Sequence, residues 1–118
     1  MNEHFAVEAA TTAPAETTIR MRGDIDIAAD AAIAAAYERG TSGGASRIVL
    51  DFAGVGYINS TGIALIVRLL AEARRDHRDV IAVGLSDHYQ EIFRLTRLSD
   101  YVTMVGAQDT PTEEGVSR

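Results

Sequence analysis

A chain of 118 residues and 12.7 kDa can build one core but not a cofactor domain plus a substrate domain, so a single domain with one site is expected. Its formal net charge of −6 argues against a binder of nucleic-acid backbones, which needs a concentrated basic surface. Cysteine is absent and arginine stands wherever lysine might, which excludes disulfides, thiolate chemistry, lysine Schiff bases and a Gly-Lys-Ser/Thr phosphate loop.

Apolar residues make up 47% of the chain in segments shorter than a membrane span, the pattern of a soluble globular protein with no membrane insertion. Glu3, His4 and Glu8 interrupt any secretory apolar core near the start, so a cytoplasmic protein is expected. Residues 1–106 read as the domain and 107–118 as a polar tail expected to fray.

In chain order, residues 5–10 alternate weakly and read as an edge strand, with 11–17, including Pro14, as its exit loop. Thr18, Ile19, Arg20, Met21 and Arg22 alternate more clearly and should pair with it as a half-exposed strand that Gly23 ends. Asp26 is placed to cap an alanine-rich helix over 28–39, whose residues Ala29, Ile33, Ala36 and Tyr37, with Ile25, form a narrow apolar stripe. Residues 40–44 are a glycine-rich connector.

Residues 47–52 have the aliphatic character of a strand covered on both faces, stopped by Ala53, Gly54, Val55 and Gly56. Tyr57, Ile58, Asn59, Ser60, Thr61 and Gly62 then lead into a helix over 63–73. Ser60 should therefore lie where free backbone N–H groups and the positive end of a helix dipole converge. Residues 79–85 read as a second buried strand. Ser86 or Asp87 can cap the next helix, with Gln90 placed to reach back, and Tyr89, Ile92 and Phe93 supply its buried face. Ser99 and Asp100 turn the chain into a last short strand over 101–105.

This order implies an α/β fold: a mixed sheet of four to five strands, parallel and joined by right-handed crossovers except for an antiparallel N-terminal edge, flanked by helices. Function in such sheets gathers at the carboxyl ends of the strands, here Asp24, Asp26, the Asn59 to Gly62 turn, Asp87 and His88.

Most chemistry fails on spacing. The glycines at 54 and 56 lack the third glycine of a dinucleotide fingerprint, and His4, His77 and His88 lack ligand spacing, so neither cofactor nor metal is expected. A hydrolase built from Ser60, His88 and Asp24 or Asp26 would want a Gly-x-Ser-x-Gly elbow, which is missing, so no catalytic residue is assigned. Asp24 and Asp26 suit one cap and one solvated acid, and Arg68, Arg74, Arg75 and Arg78 complement a helix dipole.

On the central helix, Ile63, Ile66, Leu70 and Ala73 define the expected buried face, and Arg68, Glu72 and Arg75 the wet one. Thr61, Leu65, Arg68 and Glu72 share a stripe, which leaves Leu65, with Leu69 at the margin, facing water beside Ser60 as a partner surface. Ser60 itself is either the helix cap or a functional hydroxyl, since Asn59 or Thr61 can cap instead.

Three segments resemble the STAS domain family, and within it the bacterial anti-sigma factor antagonists: Gly23-Asp24-Ile25-Asp26, the strand Ile48-Val49-Leu50-Asp51-Phe52, and the turn Tyr57-Ile58-Asn59-Ser60-Thr61-Gly62-Ile63. Phe93-Arg94-Leu95-Thr96-Arg97-Leu98 looks like the family's late helix, so the resemblance extends over residues 19–105. It implies a phosphorylation site at Ser60, with Thr61 as second candidate, and a partner surface of Asp24, Asp26, Asn59, Ser60, Thr61, Gly62, Leu65 and Arg68. The implied partner is an anti-sigma factor with serine kinase activity, released when Ser60 is phosphorylated. Asn59 departs from the family, which places an acidic residue before that serine. The alternatives are an unphosphorylated STAS adaptor docking on a transporter ATPase or signalling scaffold and, in another class, a small serine hydrolase. Whether the chain forms a homodimer stays open.

Overall fold

Alternation with a period of two governs the sheet. The computed structural model describes residues 4–105, and in its second strand, β2 (Glu16–Ile25), Thr17, Ile19, Met21 and Ile25 are buried while Arg20 and Arg22 are exposed. The first strand, β1 (Ala6–Ala13), pairs antiparallel with β2. A 3-10 turn (Ile27–Ala29) leads into helix α1 (Asp30–Thr41), followed by β3 (Arg47–Ile58), α2 (Ser60–Arg75), β4 (Asp79–Val83), α3 (Asp87–Leu95), a second 3-10 turn (Leu98–Asp100) and β5 (Thr103–Val105). The five strands stand in chain order, β1-β2-β3-β4-β5, with β2 to β5 parallel. This is the mixed sheet with an antiparallel edge that the sequence implies. The expected tail lies outside the described residues.

Right-handed crossovers between strands that advance steadily in one direction put every helix on the same side of the sheet. The packing follows. Ile48, Leu50 and Phe52 of β3 and Val80 and Ala82 of β4 are buried with Ile33 of α1, with Leu65, Ile66, Leu69 and Leu70 of α2, and with Phe93 of α3. Val49, Ile81 and Val83 on the opposite face stay partly exposed. Phe52 and Phe93 meet edge to face, with ring centroids 6.1 Å apart, which ties α3 to the same layer. The expectation of strands covered on both faces is therefore corrected: the aliphatic runs of β3 and β4 are covered by helices on one face only. Neighbouring side chains within the sheet give the other face its partial shelter.

Several boundaries also move. The 11–17 loop is largely strand, because the threonines suit an extended ladder and only Pro14 and Ala15 turn the chain. Thr12 supports the turn through its hydroxyl, 3.0 Å from Glu16 and 2.9 Å from Thr18. Gly23 does not end β2. It lies inside the strand with φ +88, and a Cβ there would stand 2.9 Å from the His4 carbonyl carbon and closer still to its oxygen, so glycine permits the close approach of the segment before β1. Nor do the glycines at 54 and 56 stop β3, since register shifts in the β2 ladder absorb them as far as the Ile25 and Ile58 pair. Asp26 caps the 3-10 turn, accepting from Ala28 N–H at 2.9 Å, and α1 starts later than expected. Ser86 caps α3 at 3.2 Å from Tyr89 N, and Gln90 reaches back to donate to the Leu85 carbonyl at 3.0 Å.

At the amino ends of the parallel strands, Tyr37 of α1 donates to Asp76 beyond α2 at 2.8 Å. Burial, with the hydrogen bond to Asp76, pushes the Tyr37 hydroxyl up from 10.0 to about 12. The folded state thus holds the phenolic proton above the pH at which the unfolded chain releases it. Its contribution is complete below pH 10.0 and is lost as pH rises through about 12. Urea unfolding across that range should show stability falling with pH, and the fall should be smaller in Tyr37→Phe.

Candidate functional site

The turn at the carboxyl end of β3 is fixed from three sides. Asn59 N–H donates to the Ile25 carbonyl at 3.2 Å, which joins the turn to the end of β2. Tyr89 of α3 accepts from Ile58 N–H at 2.8 Å and donates to the Ile58 carbonyl at 3.4 Å. Beneath the first turn of α2, a Cβ on Gly62 would lie 2.8 Å from the Ile25 carbonyl carbon and closer still to its oxygen, so only glycine lets the helix start this near β2.

The question of the cap is resolved in favour of Asn59. Its Oδ1 accepts from Gly62 N–H at 2.8 Å, and its backbone carbonyl accepts from Ile63 N–H at 2.9 Å. Ser60 is the first residue of α2, exposed, and among the described residues its hydroxyl has no hydrogen-bond partner. Thr61 beside it is also exposed. The first-turn N–H groups of a helix without internal partners, together with its dipole, favour negative charge at such a position.

Asp24 and Asp26 flank Ile25 and so stand beside the turn, as expected. Asp24 Oδ1 lies over Gly56, where an added Cβ would meet it at 3.5 Å, and Asp26 caps the 3-10 turn. Arg68 forms an ion pair with Asp30 of α1. Asp30 was not among the sequence candidates, and nothing in local spacing pairs residues on two separate helices.

Leu65 requires a correction. Leu65 and Leu69 are each only 5% exposed, packed in the core with Gly62, Ile66, Leu70 and Ala73. The buried arc is broader and rotated relative to the expected one, because Gly62 rather than Ile63 faces the sheet at the helix start. Ile63 is only partly buried. The stripe that continues from Ser60 is therefore Ala64, Val67 and Ala71, with Val67 42% exposed. Ile27 and Tyr57, 63% and 56% exposed, add apolar surface on the same carboxyl edge. Composition gave no sign of them. Projecting the helix with Gly62 inward would have revealed Val67.

No hydrogen bond among the described residues joins Ser60, His88 and either aspartate, and the His88 ring instead packs edge-on against Tyr89 at 4.8 Å. The described residues hold no group of three or more potential metal ligands. None of their helices is long and apolar enough to cross a membrane.

The family model described as "Mlab, STAS domain" matches residues 8–106. The chain belongs to the STAS domain family. No curated protein matches it. Among solved structures, this STAS domain is similar to the anti-sigma factor antagonist SpoIIAA in its unphosphorylated form, with 20% identity, a TM-score of 0.68, and coverage of 88% of this chain and 91% of that one. The Bacillus cell fate determinant SpoIIAA in the phosphorylated form gives 21% identity and a TM-score of 0.68, covering 88% and 93%. An anti-sigma factor antagonist from Mycobacterium paratuberculosis gives 14% identity and a TM-score of 0.73, covering 90% and 89%. At these identities the likeness establishes the shared fold.

The geometry of the turn makes its residues separable by unfolding measurements. Gly62→Ala should lose about 3 kcal/mol through overpacking against Ile25. Asn59→Ala should lose about 1 kcal/mol with the cap, while Asn59→Asp should stay within about 0.5 kcal/mol of the parent. Urea titrations of the three variants check the order.

Proposed function

We propose that this STAS domain is an anti-sigma factor antagonist that binds an anti-sigma factor with serine kinase activity and is released by phosphorylation of Ser60. The observation that carries the reading is the free, exposed hydroxyl of Ser60 at the start of α2, with capping left to Asn59. The fold shared with SpoIIAA, solved in unphosphorylated and phosphorylated forms, supports it.

The docking surface in this reading consists of Asp24, Asp26, Asn59, Ser60, Thr61, the backbone at Gly62, and Arg68, with Val67 taking the apolar place that Leu65 leaves. A phosphate adds about −1.5 to −2 charge, and a helix N-terminus accommodates it, so the domain stays folded. The change acts at the surface. New negative charge beside Asp24 and Asp26 opposes any partner carboxylates and must be desolvated on docking, which lowers affinity without a change of conformation.

A second reading, an unphosphorylated adaptor on a transporter ATPase or signalling scaffold, is favoured by Asn59, which offers no charge before the serine. It uses the same surface and leaves Ser60 unmodified. Co-purification separates the two by recovering either a sigma regulator or an ATPase.

Incubation with the cognate kinase and ATP should place phosphate on Ser60 and none on Ser60→Ala. Ser60→Asp should bind the partner about a hundredfold more weakly, a loss of about 3 kcal/mol. Phosphate at neither Ser60 nor Thr61, together with unchanged binding by Ser60→Asp, would overturn the reading.

A further inference from the structure

Strand β3 outruns its neighbour. Its ladder with β4 ends where Asp51 pairs with Val83, yet β3 continues to Ile58, so this edge of its last residues has no strand beside it. The next residue fixes which way the free groups of Ile58 face. Asn59 N–H points to β2, where it donates to the Ile25 carbonyl at 3.2 Å, so the N–H and carbonyl of Ile58 face the side on which β4 has ended. Ile58 is 5% exposed, and buried backbone groups need partners.

One side chain supplies both. The Tyr89 hydroxyl accepts from Ile58 N–H at 2.8 Å and donates to the Ile58 carbonyl at 3.4 Å, in place of the bonds that a neighbouring strand would make. Packing alone does not require that hydroxyl, since a phenylalanine ring would fill the same buried space. Tyr89 is itself held in place. Ser86 Oγ accepts from Tyr89 N–H at 3.2 Å at the start of α3, and the His88 ring packs edge-on against the phenol ring, with centroids 4.8 Å apart. Helix α3 therefore sets where β3 ends, two residues before the exposed Ser60.

We propose that Tyr89 is a positioning residue for phosphoryl transfer to Ser60: by holding Ile58 it fixes where the Ser60 hydroxyl stands when a kinase carrying ATP meets the turn. This inference rests on the Ser60 reading. The step breaks the bond between the γ-phosphorus of ATP and its bridging oxygen and forms one from that phosphorus to Ser60 Oγ. The serine proton passes to a base of the kinase, and ADP leaves. Tyr89 touches none of these atoms. Transfer needs the attacking oxygen about 3–3.5 Å from phosphorus and in line with the leaving oxygen, so a small displacement of the turn slows it. Docking depends on Asp24 and Asp26, which are placed by β2, so the loss falls on the transfer step and not on binding.

The test compares the parent, Tyr89→Phe and Ile33→Val in single-turnover phosphorylation by the cognate kinase with ATP, at varied kinase concentration. Ile33→Val thins the core beneath α1, away from the turn, and serves as a control for lost stability. Tyr89→Phe should lower the maximal rate about tenfold and leave the half-saturating kinase concentration within about twofold of the parent. Ile33→Val should match the parent in both. Amide exchange at residues 58–63 should quicken in Tyr89→Phe beyond that of the core amides of Ile19 and Leu50, an excess that Ile33→Val lacks. A merely structural hydroxyl would lower the unfolding temperature and leave the maximal rate alone. An unchanged maximal rate in Tyr89→Phe, or an equal loss in Ile33→Val, would overturn this proposal while the Ser60 reading stands. A parent that takes no phosphate on Ser60 would remove both.

Discussion

The approach of the α2 N-terminus to the end of β2 governs the working edge of this molecule. Ile25 offers its carbonyl to Asn59 N–H at 3.2 Å, and the same carbonyl occupies the space that a Cβ on Gly62 would need. Two segments distant in sequence are thereby held in one register. Tyr89 adds a third by holding both backbone groups of Ile58. The consequence is a helix start with little freedom to shift, and a preorganised surface needs less ordering when a partner docks.

Roles within the turn are divided between neighbours. Asn59 closes the helix and Gly62 permits the close packing, while Ser60 between them does neither and keeps its hydroxyl free. In the proposed role this separation matters, because modifying Ser60 leaves the cap and the packing intact. A change of charge is then read by the partner as a change of surface. The fold that presents it remains the same.

The two ends of the parallel strands differ in character. At the carboxyl pole, Asp24 and Asp26 stand beside the start of α2, while at the amino pole arginines and carboxylates mix around a groove, with Arg47 paired to Glu16 at 4.0 Å and Arg78 to Asp76 at 3.9 Å. The uncovered sheet face between them carries Val49, Ile81 and Val83, partly exposed, beside the Arg20 and Asp51 pair at 3.4 Å.

Much of this architecture was legible in local pattern. Alternation in residues 18–22, the stripe of Ile25, Ala29, Ile33, Ala36 and Tyr37, and the glycine and capping residues around Ser60 are short-range signals, and they determined the element order, the mixed sheet and the position of the Ser60 turn at the start of α2. Tertiary structure decided what those signals leave free. Whether β3 was covered on one face or both depended on every crossover having the same hand, and the rotation of α2 depended on Gly62, not Ile63, meeting the sheet, which buried Leu65 and exposed Val67. The pairing of Arg68 with Asp30 and the groove at the opposite pole join residues far apart in the chain. Sequence determines periodicity and turn chemistry because both act between near neighbours, whereas burial and long-range contact are set only when the elements pack.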